Sequence, residues 1–486
     1  MKSRWLDINK GDQERPNYRS RFVAKEFNTG EAEGLFASTP PLEALRLLIS
    51  EAATRGKGQQ DHRKVIMIND VARSFFEAPV RRKVCIELPE EEGAQSDEVG
   101  LLQMSLYGTR DAAANFQAEV RKVMTDAGFR VSRYNPSTFF HEVKKLKCMI
   151  HGDDFITEGG AEEMKWFRKI LEARFEISTK VVGTGPGECR EAKVLNRIIR
   201  IDETGWHYEA DQRHAEIIIK TMNLEGAKAV GTPGEDEKLW KEEEGGELLK
   251  GKDATGYRAI AARANYLALD RPDIQYAVKE ICRSMANPAR SDLSKLRRLA
   301  RYLIGRPRMV IEYRYQEDCE ELAVYSDSDW AGCRRTAKST SGGVILRGAH
   351  YVKSWASTQK NITLSSGEAE LVAAVKASTE SIGITQLAAE WGREFRAQVF
   401  VDSSAALGVV KRKGNGKLRH VRVGMLWIQQ KSEDGDITYT KVLGEKNPAD
   451  LFTKHLSKAV IDRHCECIRT EFTGGRASAS LRVNGS

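Results

Sequence analysis

The carboxylates of this chain sit where chemistry could use them. Asp153 and Asp154 follow Gly152 between two short apolar runs, Cys148-Met149-Ile150 and Phe155-Ile156-Thr157. Glycine then aspartate between strand-formers is turn chemistry, so the stretch predicts a β-hairpin with both acids at its tip. Adjacent like charges repel, and a divalent cation set against them is what two-metal phosphoryl transfer requires. A solvated Asp-Asp turn is the plain alternative. Asp70 ends the apolar run Val65-Ile66-Met67-Ile68, a position where a lone carboxylate is costly unless paired, although an Asp capping a core strand has the same signature. Farther on, Asp327, Glu370, Asp402 and Asp450 each fall at the end of an expected element. Singly, each reads as a surface acid or a helix cap.

The composition is that of a globular protein. The chain has 486 residues, 41% hydrophobic and 30% charged, enough for two to four domains. No run of about 18 apolar residues occurs, and the start, MKSRWLDINKGDQ, has no apolar signal core, so an intracellular protein without a membrane segment is expected. Eight cysteines lie scattered without a CxxC, which argues against a zinc ribbon or a disulfide scaffold. Net charge is +8 and clustered. Lys295 to Arg314 carries seven basic residues against Glu312, and Lys411 to Arg422 carries six with no acid. Such stripes suit a polyanion, while a solvated helix face accounts for any one of them.

These acids need elements to hold them. A turn at Asn9 to Asp12 precedes Tyr18 to Phe27, whose alternation predicts a strand with Arg19, Arg21 and Lys25 on one face, able to grip phosphates. Leu42 to Ala53 reads as a helix, Val65 to Asp70 and Val84 to Leu88 as strands, Glu90 to Glu98 as an acidic loop, and Ala112 to Ala127 as a helix ahead of the hairpin. Met164 to Phe175 is an amphipathic helix, followed by a Gly-Pro loop, strands at Val194 to Ile201 and Trp206 to Tyr208, and a helix from Gln212 to Met222.

Four motifs in order, Arg21 to Ala24, Asp70 to Phe75, Ser105-Leu106-Tyr107-Gly108 and His151-Gly152-Asp153-Asp154, resemble the reverse transcriptase of copia-type retrotransposons. The resemblance implies a right-hand α+β polymerase with fingers, an antiparallel palm sheet and the start of a thumb over residues 1–234. It implies that Asp70 and Asp153 ligate two Mg²⁺ ions, with Mn²⁺ as an alternative, and that Asp154 is a less direct ligand. Phe75 takes the family's sugar-gate position and Tyr107 lies beside the incoming deoxynucleoside triphosphate. Backbone amides near Arg73 and Ser74, with Arg21 or Lys25, contact its phosphates. Two residues depart from the family pattern: His151 replaces an aromatic, and Ala113 a proline.

Residues 235–256, Gly, Glu and Lys rich, read as a flexible acidic linker. Helices over 257–316 form a connection, with Arg298 and Arg301 facing outward to track a nucleic acid duplex. Leu322 to Trp330 is a strand with Asp327 and Asp329 on one face, a sheet continues through Gly343 to Leu346 and Tyr351 to Trp355, and a long helix opens after the N-cap Ser366. With Tyr325-Ser326-Asp327-Ser328-Asp329-Trp330 and Leu364-Ser365-Ser366-Gly367-Glu368-Ala369-Glu370, the order Asp327, Glu370, Asp402, Asp450 resembles the copia-type ribonuclease H. That implies an α/β ribonuclease H-like domain with a mixed sheet over 317–458 and four acids around two Mg²⁺. Glu370 is preferred to Glu368 because it directly precedes Leu371-Val372-Ala373.

The basic loop, with Lys411, Arg412, Lys413, Lys417, Arg419 and His420, suits the hybrid's phosphates, although Arg422 stands where the family has Asp. Residues 459–486 read as a partly disordered tail. No protease motif, integrase finger or zinc knuckle is present. The expected activity is RNA-directed DNA synthesis with hydrolysis of the RNA strand of an RNA-DNA hybrid, with RNA template, DNA primer and hybrid as partners, inside cytoplasmic retrotransposon particles or the nucleus. The rivals are an inactive relic or co-opted nucleic-acid-binding protein, and ribonuclease H activity alone. Oligomeric state is not legible in the sequence.

Overall fold

The computed structural model describes every residue except 10–15, 17, 28–29, 31–34, 56–62, 94–97, 237–246, 417 and 481–486. The expected turn at Asn9 to Asp12, the centre of the linker, part of the acidic loop, Lys417 and the last six residues therefore lie largely or wholly outside the described residues. No helix among the described residues is long and apolar enough to cross a membrane.

The first half builds on alternation. Strands β1 (Ser3–Asn9) and β2 (Tyr18–Ala24) pair antiparallel. Then come α1 (Leu42–Ala52), β3 (Thr54–Arg55), β4 (Lys64–Val71), the pair β5 (Cys85–Glu87) and β6 (Val99–Leu101), α2 (Ala112–Asp126), β7 (Arg130–Val131), β8 (Thr138–His141), β9 (Leu146–His151), β10 (Asp154–Gly160), α3 (Ala161–Arg174) and β11 (Ile177–Val182). The six-stranded sheet β11-β4-β10-β9-β8-β7 is antiparallel throughout. Its central strands are continuous apolar runs because both faces are covered. Val65, Met67, Cys148, Ile150 and Phe155 turn toward Phe116 and Val120 of α2 and Phe167 and Leu171 of α3. Ile66, Ile68, Met149 and Ile156 turn the other way, toward Leu45, Leu48 and Ile49 of α1.

The second sheet joins distant parts of the chain. Strands β12 (Glu191–Val194), β13 (Arg197–Ile201) and β14 (Gly205–Ala210) form a meander, followed by α4 (Arg213–Thr221), α5 (Gly251–Ala268), α6 (Gln275–Cys282) and α7 (Asp292–Gly305). Strand β15 (Arg308–Arg314) then pairs with β14. Its other edge takes the last strand of the chain, Thr470–Thr473. Residues 459–473, expected in a partly disordered tail, thus supply a helix, Lys458–Cys467, and an edge strand. The reason is apolar content: Ile461, Cys465 and Ile468 are buried, and the Arg306 guanidinium lies 3.9 Å over the Phe472 ring.

The third unit is the expected mixed sheet. A short strand β16 (Gln316–Glu317) pairs in parallel with β3. Strands β17 (Glu321–Asp329), β18 (Thr340–Arg347) and β19 (His350–Thr358) are antiparallel; β20 (Arg396–Val401) and β21 (Ile437–Lys441) add in parallel on the other side of β17, giving the order β19-β18-β17-β20-β21. Helix α8 (Ser366–Glu390) crosses it, then α9 (Ser404–Val410), α10 (Trp427–Glu433) and α11 (the Lys458–Cys467 helix) complete the unit's helices.

The two sheets that carry acids are joined through α1. Its apolar side belongs to one continuous core with Val344, Tyr351 and Val352 of the third unit. Charged groups at this seam form a buried ion-pair network. Glu51 pairs with Lys147 at 3.0 Å and with Arg347 at 2.5 Å, Lys147 also reaches Glu158 at 3.2 Å, and Arg347 reaches Asp318 at 3.3 Å. Burial would raise the Glu51 carboxyl, but Lys147, Arg347 and Arg393 outweigh it and hold it well below the usual carboxylate range. A second buried group lies alongside, where Asp270 accepts from Arg46 and Arg197, both at 2.9 Å, and from the Tyr208 hydroxyl at 2.5 Å. Removing one member of a buried pair strands the other charge. Arg347→Met is therefore expected to lower the free energy of unfolding by about 3–5 kcal/mol in a urea titration, whereas the exposed Arg297→Met leaves it within about 0.5 kcal/mol.

Candidate active sites

Strand β4 delivers Asp70 and the β9-β10 hairpin delivers Asp153 and Asp154, because β10 pairs with both β9 and β4 in a register that sets Asp154 opposite Asp70 and opposite His151. Only Gly152 and Asp153 make the turn, and Gly152 adopts a φ of +65°. The Val71 amide donates to the Asp153 carbonyl at 3.1 Å, fixing the tip beside the end of β4. Asp70 and Asp153 are exposed and Asp154 is half-buried. Burial, then the charges of Asp153 and Asp70, push the Asp154 carboxyl up to about 6.

After Asp70 in the chain comes a cluster of aromatic rings. Phe75 lies 4.7 Å from Tyr107 between centroids and Phe76 lies 5.6 Å away on an edge, while the Arg21 guanidinium sits 5.1 Å over Tyr107. The Tyr107 loop is docked on β2, since the Ala24 amide donates to the Tyr107 carbonyl at 2.8 Å. A Cβ at Gly108 would lie 2.1 Å from the Ala24 carbonyl oxygen, and Gly108 has a φ of +89°, so only glycine fits there. Arg73 takes a left-handed φ of 53° and its side chain pairs with Glu176; Ser74 is buried, and Lys25 is half-exposed.

In the third unit, Asp327 near the end of β17, Glu370 in the first turns of α8 and Asp402 just after β20 converge. Each offers an oxygen within 4.8 Å of the others, the one such group of three found among the described residues. The trio at the hairpin is not drawn that tight. Ser365, rather than the expected Ser366, caps α8, its hydroxyl accepting from the Glu368 amide at 3.2 Å. Two residues on, Glu370 faces β17, where the Ser328 amide and hydroxyl donate to one of its oxygens at 3.1 and 2.9 Å. Its other oxygen is buried with no partner. Glu368 is spent elsewhere, accepting from the Leu364 amide at 2.8 Å and lying 3.0 Å from the His420 ring.

Crowding sets the electrostatics of this trio. Burial, then Asp327 and Asp402, push the Glu370 carboxyl up to about 8. Asp327 rises to about 7 through burial and Asp450, against the pull of Lys454, and Asp402 rises through burial and Asp450. Buried carboxylates that resist ionising, with one oxygen left unanswered, fit a divalent cation.

Asp450 stands beside the trio rather than in it and pairs with Lys454 at 2.7 Å. Lys454 also comes within 4.0 Å of Asp327. Sequence reasoning passed over Lys454, although its spacing four residues after Asp450 on a helical turn was the available signal.

The basic stretches divide. Arg298 and Arg301, expected on an outward duplex-tracking face, are turned to internal use. Arg298 donates to Thr232 at 2.8 Å and pairs with Glu235, and Arg301 donates to the Lys228 carbonyl at 2.7 Å. They pin residues 228–235 to α7, and partners so distant in sequence cannot be read from helical periodicity. Arg308 is likewise buried on Glu209. In the other loop Lys411 and Arg419 are exposed without a carboxylate partner among the described residues, whereas Lys413 pairs with Glu433 at 2.6 Å and Arg412 donates to the Asn415 carbonyl at 2.6 Å.

Residues 1–234 match the family described as reverse transcriptase (RNA-dependent DNA polymerase), and this part of the chain is a reverse transcriptase domain. The chain is homologous to Pol polyproteins of copia-type transposons over most of its length. It is 26% identical over 475 residues to the retrovirus-related Pol polyprotein from transposon RE1 of Arabidopsis thaliana, covering 94% of this chain and 31% of that protein. It is 23% identical over 474 residues to that from transposon TNT 1-94 of Nicotiana tabacum, covering 93% and 34%. The chain thus spans about a third of the length of these curated relatives. Among solved structures, a foamy viral protease-reverse transcriptase in complex with double-stranded DNA shares the fold at a TM-score of 0.51 and 12% identity, covering 91% of this chain and 65% of that one.

A carboxyl whose pKa is raised on folding adds stability while protonated, and that contribution is lost as pH rises through the raised value. For Glu370 the window runs from its ordinary 4.5 to about 8. In EDTA the thermal midpoint should fall between pH 5 and pH 8, and Glu370→Gln should flatten the fall. Scanning fluorimetry reads this; a parent and variant with parallel pH profiles would remove the crowding of the trio as its cause.

Proposed function

We propose that the chain is an RNA-directed DNA polymerase with an associated ribonuclease H, from a copia-type element. The observation that carries the nuclease half is the convergence of buried Asp327 and Glu370 with half-buried Asp402, one Glu370 oxygen having no hydrogen-bond partner. The polymerase half rests on the reverse transcriptase domain and on the strand register that brings Asp70 to the Asp153-Asp154 turn.

In the first site Asp70 and Asp153 would hold Mg²⁺ or Mn²⁺, and in the second Asp327, Glu370 and Asp402 would do so with Asp450 alongside. Cations so held supply charge neutralisation of the phosphoryl oxygens and lower the pKa of an attacking hydroxyl or water. The protein's own groups do the positioning. At the first site the Phe75 and Tyr107 rings form a wall for the sugar of the incoming deoxynucleotide, and Arg21 over Tyr107 offers charge to its phosphates. At the second, Ser328 orients Glu370, and the Glu368-His420 contact draws the basic loop toward the start of α8, placing Lys411 and Arg419 for an RNA-DNA hybrid. The foamy viral relative has also been solved with an RNA/DNA hybrid, which supports that partner. Residues 1–234, 257–316 and 317–458 serve as polymerase, connection and nuclease; the expected linker 235–256 is shorter than its sequence suggested, because α5 already begins at Gly251.

The two activities are expected to separate by mutation. With Mg²⁺, primer extension on poly(rA) should fall at least about a hundredfold in Asp153→Asn while hybrid cleavage persists, and Glu370→Gln should do the reverse. Extension no higher than that of Asp153→Asn, with no hybrid cleavage, would favour the inactive relic or nucleic-acid-binding reading. Cleavage without extension would leave a ribonuclease H alone.

A further inference from the structure

A cavity of about 610 Å³ opens at the seam between the first and third units. Its walls come from the end of α1 and β3, the β8-β9 turn, the start of β4, the end of β10 and the residues after α8. It belongs to neither site above. Lys64 and Gly160 line it, at the opposite ends of β4 and β10 from Asp70 and Asp154, about 20 Å away along each strand. Arg393 lines it beyond the far end of α8 from Glu370, about 30 Å along the helix.

Its charge is lopsided. Seven lysines and arginines line it against three carboxylates; four of the cations are paired, Lys64, Lys147 and Arg393 with carboxylates of the seam and Arg63 with Glu188, which leaves three. Arg55, Lys144 and Lys145 have no carboxylate partner among the described residues. Each is held over an aromatic ring instead: Arg55 5.3 Å from Tyr315, Lys144 4.5 Å from Trp166 and Lys145 5.9 Å from Phe140. Ring contacts fix a cation's position without neutralising it. Like charges gathered around a void repel, and an anion within it removes that cost.

We propose that this cavity binds a small polyphosphate anion, of the size of a nucleoside triphosphate, and that the ligand bridges the polymerase and nuclease units. The volume lies in the range of about 300–1,000 Å³ typical of small-molecule sites. Several phosphates match the spread of Arg55, Lys144 and Lys145 around one space. Exposed Val143 at the lip and the partly buried Tyr315 ring offer apolar surface to an attached base.

Calorimetric titration of the full chain with inorganic tripolyphosphate in EDTA tests this, because without divalent cations the Asp70-Asp153 site holds no triphosphate. One saturable site per chain is expected, weakened at least tenfold in Arg55→Glu and in Lys145→Glu, unchanged in Arg297→Glu, and about threefold weaker in the milder Arg55→Gln, which guards against misfolding. Absence of saturable binding, or equal loss in Arg297→Glu, would overturn the proposal. So would displacement by oligo(dT) that strengthens with its length, which would assign the cavity to a nucleic acid strand.

Discussion

Three carboxylates crowded together, two of them buried and Asp402 half-buried, are the constraint on which the third unit turns. Isolated, Asp327, Glu370 and Asp402 would oppose folding, since burial and mutual repulsion both penalise their charged forms. The fold nevertheless brings them together from a strand end, a helix start and the end of a second strand, and spends Ser328 on orienting one of them. Two neighbours soften the cost: Lys454 pairs with Asp450 and approaches Asp327, and Thr453 donates its hydroxyl to Asp327. The first site makes a different compromise. Its acids lie at a hairpin tip where water reaches Asp70 and Asp153, and burial raises the half-buried Asp154 carboxyl.

Between the sites runs a seam that is more than a contact of two domains. Helix α1 packs on the central strands of the first sheet and on β19 of the third, so one core passes through the border. Glu51, near the end of that helix, answers Lys147 of β9 and Arg347 of β18 at once. A carboxylate shared between cations of two units resists their separation, because parting them would leave unpaired charge out of water. The β3-β16 pairing and the edge strand at Thr470–Thr473 tie remote segments into the same body. The cationic cavity lies on this seam, which is why its occupancy would bear on both halves.

Much of this was legible residue by residue. The hairpin followed from Gly152 between strand-formers, the buried central strands from unbroken apolar runs, and the choice of Glu370 from its place before Leu371-Val372-Ala373; in the structure Glu370 lies with Asp327 and Asp402 while Glu368 is taken up by the Leu364 amide and His420. What stayed hidden shares one property: the decisive partner is far away in sequence. Arg298 looks like a solvated cation on its helix until Thr232 and Glu235 are seen beside it. Glu51 and Arg347, 296 positions apart by their numbering, carry no local sign that they meet. Residues 459–473 follow the last recognised motif and look like a tail, yet the free edge of β15 and the pocket around Ile461 and Cys465 give them a place.

Binding of Mn²⁺ followed by electron paramagnetic resonance tests the central claim, that the acids form two separate cation cages. The parent chain should show two classes of bound Mn²⁺; Asp153→Asn should remove one class and leave the other, and Glu370→Gln should do the converse. A single class, or loss of both classes in either variant, would contradict the account.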